Sequence, residues 1–206
     1  MLAQQLALFS QPELSLPSDW HGIQRIQLSQ ESWLEHRSGW LKGHGLLFDS
    51  LCRGVDWQEE QRVMYERLLD VPRLVASLPK RGAVPPILER ASNLLSERYS
   101  RSLSRLGLCM YRGGQDSVAW HGDRMGPLRS DTVIGILSLG EPRRFAIRPA
   151  GGGPSLGFEL GWGDLLVMGG RCQEDFEHCV PKVASAMPRI SVQFREAAPV
   201  PTLLSR

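Results

Sequence analysis

From Arg105 onward the sequence breaks into short runs rich in branched apolar residues, divided from one another by Gly and Pro: Leu106–Tyr111, Asp131–Leu139, Arg144–Arg148, Leu165–Met168 and Arg189–Arg195. Several short strands separated by turns predict an all-β barrel or sandwich. The texture before Arg105 is different. Residues 1–20, with Pro12 and Pro17 among scattered polar residues, read as a flexible tail. From Gly22 to about Leu51 a short strand and then helical segments are expected, with Ser32 and Glu35 spaced as a capping box. Pro85 and Pro86 precede Ile87, Leu88, Leu94 and Leu95, which share one side of a helix ending near Tyr99. The expected organisation is a tail (1–20), an α/β extension (21–104) and a β core (105–206).

The chain's 206 residues suffice for one domain with a sizeable core. The longest apolar runs, Val133–Leu137 and Leu165–Met168, are too short to span a bilayer, so no membrane partner is expected. The first residues lack the basic and apolar pattern of a signal peptide, which makes the cytoplasm the expected compartment. Cys52, Cys109, Cys172 and Cys179 contain no CxxC pair and read as reduced thiols. Between Arg98 and Arg148 nine arginines stand against Asp116, Asp123, Asp131 and Glu141. Such a stripe suits a polyanion or is a solvated face.

Only two of the five histidines follow residue 44: His121 and His178. In an extended segment, His121 and Asp123 point to the same side with Cα atoms about 6–7 Å apart. One metal ion can bridge them. A distant histidine added to this pair makes a two-His, one-carboxylate facial triad, which leaves three positions open on ferrous iron. The other reading is a surface turn at Gly122.

The run Arg189-Ile190-Ser191-Val192-Gln193-Phe194-Arg195 alternates without a break. Ile190, Val192 and Phe194 share one face; Arg189, Ser191, Gln193 and Arg195 share the other. Two inward arginines are costly without anions to pair with. Their Cα atoms lie about 20 Å apart on a straight strand. Long side chains reaching toward each other leave space for one short dicarboxylate, and 2-oxoglutarate has that shape. An exposed edge strand with a polar face is the alternative.

Taken together, these residues resemble the AlkB family of Fe(II)/2-oxoglutarate-dependent nucleic-acid repair dioxygenases. The likeness is carried by Tyr111-Arg112, Asp116-Ser117-Val118 and Trp120-His121-Gly122-Asp123, by Gly163–Gly170 leading to His178, and by Arg189 and Arg195. It is strongest over Leu108–Asp123, Asp131–Phe145 and Gly163–Arg195, and reaches back to about Met64. It implies a mainly β, α+β chain whose core is a double-stranded β-helix, or jelly roll. His121, Asp123 and His178 would ligate iron. Arg189 and Arg195 would hold the carboxylates of 2-oxoglutarate, with Tyr111, Ser191 and Gln193 in the same pocket. With O2 as co-reactant, 2-oxoglutarate would be decarboxylated to succinate and an N-alkyl carbon on a base hydroxylated and lost as an aldehyde, in DNA or RNA. The base must be flipped or single-stranded to reach the metal.

The sequence departs from the family pattern in three places. Cys109 stands where an asparagine is usual two positions before the tyrosine. Arg124 and Met125 follow Asp123 where an acidic base reader is common, and Leu74–Pro86 lacks the stacking aromatic. Val71-Pro72-Arg73 matches some members, and the alignment sets Met64 and Tyr65 where the family's hairpin touches the duplex. Expected substrate contacts are therefore Met64, Tyr65, Arg73, Arg112 and Arg124, with Arg129, Arg143, Arg144 and Arg148 as further phosphate contacts. Two other functions stay open: the same chemistry on a protein or small molecule, and a non-catalytic nucleic-acid-binding module. Gln5-Leu6-Ala7-Leu8-Phe9 resembles the peptide by which bacterial repair proteins dock on the sliding clamp, or is a chance apolar tail. A monomer is expected.

Overall fold

The structure, a computed structural model, describes residues 13–64, 67–78, 84–123 and 131–196; the side chains of 60–64 and 67–70 are outside the description. Along the chain run β1 (Gln24–Gln27), β2 (Ser32–Arg37), α1 (His44–Gly54), β3 (Gln58–Met64), β4 (Arg67–Ser77), α2 (Pro86–Tyr99), β5 (Arg105–Tyr111), β6 (Val118–His121), β7 (Thr132–Gly140), β8 (Arg143–Pro149), β9 (Leu156–Leu160), β10 (Leu165–Gly170), α3 (Cys172–Asp175), β11 (Phe176–Val180) and β12 (Arg189–Arg195). A major sheet has the order β1-β2-β10-β7-β12-β5-β4-β3, and a minor sheet the order β6-β11-β8-β9. All the pairings are antiparallel. This is the expected jelly-roll core, widened at both ends of the major sheet by strands from the N-terminal half.

The central strands of the major sheet bury both faces, so they read as nearly continuous apolar runs. On β10, Leu165 and Val167 face one core and Leu166 and Met168 the other. The first core packs the sheet against the helices: Ile190, Val192 and Phe194 of β12 share a cluster with Leu47 and Leu51 of α1 and Leu88 and Leu95 of α2. The second lies between the sheets, where Ile134, Ile136 and Leu166 join Phe145, Ile147 and Leu160 of the minor sheet. β12 pairs on both sides, with β7 and β5, so it is no edge strand. Its polar face is turned inward.

Two expectations are corrected. Ser32 and Glu35 lie within β2, paired between β1 and β10, and cap no helix. Glu35 is buried and accepts hydrogen bonds from Tyr99 Oη (2.7 Å) and Arg98 Nη2 (2.9 Å) of α2; this tertiary partner outweighs a local cap. Residues 15–20, expected within the tail, pack on the fold instead. Ser15 pairs with Lys42, Leu16 is buried, and Trp20 stacks on Trp40 with ring centroids 5.7 Å apart. Among the described residues no helix is long and apolar enough to cross a membrane.

Candidate metal centre

His121 closes β6, Asp123 follows two residues later, and His178 sits in the middle of β11 directly opposite His121. One ligand atom from each of the three lies within 4.8 Å of the others. The pairing gives the local reason. His178 opposes His121 and Val180 opposes Val118, so β6 carries one residue more than β11 over this span, a bulge. A bulge re-aims side chains, and here both Val118 and His121 line the interior. His121 Nδ1 lies 2.8 Å from Ala119 O. A proton on Nδ1 makes that hydrogen bond and leaves the Nε2 lone pair for a metal.

The charges suit the same task. Burial pushes His178 down to about 4, helped by His121, Arg195 and Arg73 against the opposing pull of Asp123. The imidazole is therefore neutral at pH 7, the form that ligates metal. Phe145 stacks on its ring at 5.3 Å. Burial works against the charge of Asp123, but Arg195, His178 and His121 prevail and hold its pKa below the ordinary aspartate value. Its backbone N–H donates to Gln173 Oε1 at 2.9 Å. Two imidazoles and one carboxylate fit ferrous iron with positions left over for other ligands.

His121, Asp123 and His178 line a cavity of about 760 Å3. Its floor is laid by β4, β5 and β12, where Arg189 pairs with Tyr111, Ser191 with Cys109, Gln193 with Gly107 and Arg195 with Arg105. Arg189 is buried; its Nε donates to Leu160 O at 3.1 Å and its Nη2 to Ser138 Oγ at 2.7 Å. Its Nη1 has no hydrogen-bond partner among the described residues. Burying a guanidinium nitrogen this way calls for an anion. Tyr111 lies beneath Arg189, with the guanidinium carbon 5.4 Å from the ring centroid, and burial pushes its hydroxyl up to about 12. Gln193 Nε2 donates to Ser191 Oγ at 3.0 Å. Arg195 reaches across to the metal side, its Nη2 donating to Asp123 Oδ1 at 3.0 Å. Gly107 makes that reach feasible, since a Cβ there would stand 3.1 Å from both Arg195 Nη1 and Gln193 Oε1.

All eight residues expected at the metal and the cosubstrate thus line one cavity. The substrate set is divided. Arg73 lines the cavity too, buried and with its Nε unpartnered among the described residues. The backbone of Met64 ends β3 at the β3–β4 hairpin, opposite Arg67, while Tyr65 and Arg124 lie outside the described residues, as do Arg129 and Gln5–Phe9. Arg112 is away from the cavity, holding Asp116 at 2.8 Å and Glu59 at 3.4 Å. Arg143 is corrected outright as a phosphate contact: it is buried and donates to Gly113 O, Asp116 O and Pro181 O. Arg148 pairs with Glu177 and lies 4.0 Å over Trp120. Gln173, Ser138 and Phe145 support the site without a sequence signal of their own.

A model of the 2OG-Fe(II) oxygenase superfamily matches residues 40–195. Alpha-ketoglutarate-dependent dioxygenase alkB homolog 3 of Bos taurus is 32% identical over 186 residues, taking in 78% of this chain and 64% of that protein. The Homo sapiens protein of the same name is 29% identical over 180 residues, 75% of this chain and 62% of that one. The chain spans less than two thirds of the length of these curated relatives. Among solved structures, a prolyl hydroxylase in complex with a hypoxia inducible factor oxygen degradation domain peptide fragment, from Trichoplax adhaerens, superposes with a TM-score of 0.55 at 11% identity. That match covers 85% of this chain and 83% of the other, a likeness of fold.

Proposed function

From the premise that this chain belongs to the 2OG-Fe(II) oxygenase superfamily, within its AlkB family, we propose that it oxidatively dealkylates N-alkylated bases in DNA or RNA. One observation carries the reading: His121, Asp123 and His178 converge at a cavity whose floor holds Arg189 and Arg195. Ferrous iron, 2-oxoglutarate and O2 would together supply the oxidation, yielding succinate, CO2 and a hydroxylated N-alkyl carbon that leaves as an aldehyde.

The protein's own residues account for the rest. Arg189 holds the far carboxylate, prealigned by Ser138 and the Leu160 carbonyl, so little freedom is lost on binding. Tyr111 stays protonated and donates its hydroxyl to the same group. Arg195 keeps Asp123 ionised and fixes its orientation. Arg73, which lines the same cavity, is offered as a cation for the substrate side. Arg124, Met64 and Tyr65 complete the proposed nucleic-acid contact.

The test is mass spectrometry of methylated DNA and RNA oligomers incubated with protein, ferrous iron, ascorbate and 2-oxoglutarate. Methyl loss is expected, and its abolition in His178→Ala. Succinate release that ignores the oligomers would move the substrate to a protein or small molecule. The proposal extends to a cytoplasmic monomer whose Gln5–Phe9 segment docks on a sliding clamp. Pull-down by the clamp should fail for Phe9→Ala; equal capture of both chains removes that partner.

A further inference from the structure

Cys109 occupies the middle of the cavity floor. Its cross-strand neighbours are Ser191 of β12 on one side and Val75 of β4 on the other. Gly107 and Tyr111, two residues away along β5, face the same cavity. Arg189 and Gln193 lie on its diagonals, about 7–8 Å off between backbone positions and within reach of long side chains. The thiol stands 3.9 Å from Gln193 Oε1. Two buried guanidinium nitrogens without partners among the described residues, Nη1 of Arg189 and Nε of Arg73, belong to cavity-lining residues that are 1% and 8% exposed. A half-buried nucleophile therefore sits in a chamber whose strongest unmet demand is for carboxylate.

The other three thiols have no such setting. Cys172 is buried and donates to Trp33 O at 3.3 Å, Cys179 is buried, and half-buried Cys52 lies on α1. None of them lines the cavity.

We propose that Cys109 is a covalent modification site for α,β-unsaturated dicarboxylates, of which fumarate is the four-carbon example. This rests on the reading of the cavity as a dicarboxylate pocket. With one carboxylate on Arg189, an alkene carbon comes within range of Sγ. The sulfur lone pair forms a C–S bond to that carbon as the C=C π bond breaks, and the adjacent carbon takes up the proton released by the thiol. The product is an S-(1,2-dicarboxyethyl) cysteine. No oxidant or reductant is consumed. The adduct's carboxylates stay on the arginines and exclude 2-oxoglutarate, so an excess of the unsaturated acid switches the pocket off.

The full chain, freed of reductant, is incubated with fumarate and followed by intact mass and peptide mapping. One added fumarate is expected on Cys109, at a rate at least about ten times that at Cys52, because the carboxylate contact with Arg189 raises its effective concentration. Succinate and 2-oxoglutarate should slow it, and Cys109→Ser should lack it. Dimethyl fumarate, which offers no carboxylate, should show no such preference. Equal labelling of Cys52 and Cys109 by fumarate, or labelling that 2-oxoglutarate leaves unchanged, overturns the proposal. The melting temperature of Cys109→Ser with and without 2-oxoglutarate separates the two layers. If 2-oxoglutarate stabilises that variant while native Cys109 stays unmodified, the proposal falls and the pocket stands; if it neither stabilises nor protects, the pocket reading falls as well.

Discussion

At Gly122, between two of the proposed ligands, a Cβ would stand 2.8 Å from the carbonyl oxygen of Gln173, closer than real contacts allow. That oxygen is backbone and cannot swing aside. Gly122→Ala should therefore push the segment away from Gln173 and lengthen the hydrogen bond from Asp123 N–H to its side chain. Losing an orienting partner of this kind costs about 10–100-fold in metal affinity. Titration of the folded variant with Mn(II) or Fe(II) measures it, and an unchanged affinity counts against the assigned geometry. The sequence makes half of this site readable. His121 and Asp123 are two apart, and Arg189 to Arg195 follow one strand face, so strand periodicity alone groups them. Gln173 reaches Asp123 across 50 residues and Ser138 reaches Arg189 across 51, which no local period records.

Among the strands, legibility follows length and apolar content. β7 and β12 announce themselves through long branched runs. β6 (VAWH), β9 (LGFEL) and β11 (FEHCV) are short and are held by their neighbours more than by propensity, so the sequence alone leaves them unmarked. Arg143 at the start of β8 shows the converse failure, a charge read as solvent-facing that acts inside. Its guanidinium ties the β5–β6 connection, through Gly113 and Asp116, to Pro181 just after β11. Arg143→Met would leave three carbonyls short of a donor, a loss of about 3–5 kcal/mol when they stay dry. Denaturant unfolding should show that loss while nucleic-acid binding by the folded fraction stays constant. The opposite pattern, weak binding with intact stability, would return Arg143 to the phosphate contacts.

Across the whole molecule the proposed site is shared between the two sheets. The minor sheet brings His121 and His178, and the major sheet brings Arg189 and Arg195. The ion pair from Arg195 to Asp123 crosses between them. Pairing of sheets and acid sensitivity are therefore linked. His178 has a folded pKa of about 4 against an ordinary 6.5, so the unfolded chain binds the proton more readily. Above pH 6.5 both states are neutral here and nothing is lost; as pH falls from 6.5 toward 4, protons draw the population to the unfolded state. The full gap corresponds to about 3 kcal/mol. Asp123, with a folded pKa below its ordinary 3.8, acts in the same direction but at lower pH, losing its contribution as protonation overtakes the pair with Arg195. Thermal unfolding of chelator-treated protein should thus show a melting temperature that declines steadily between pH 6.5 and 4.5, with a flatter curve for His178→Gln. Adding Mn(II) should raise the melting temperature at pH 7.5 and still do so at pH 5, losing its effect only as pH falls through about 4, where protons compete with the metal for the His178 imidazole. A metal-induced shift of the same size in His178→Gln as in the native chain at pH 7.5 would mean the ion is held by groups other than this triad.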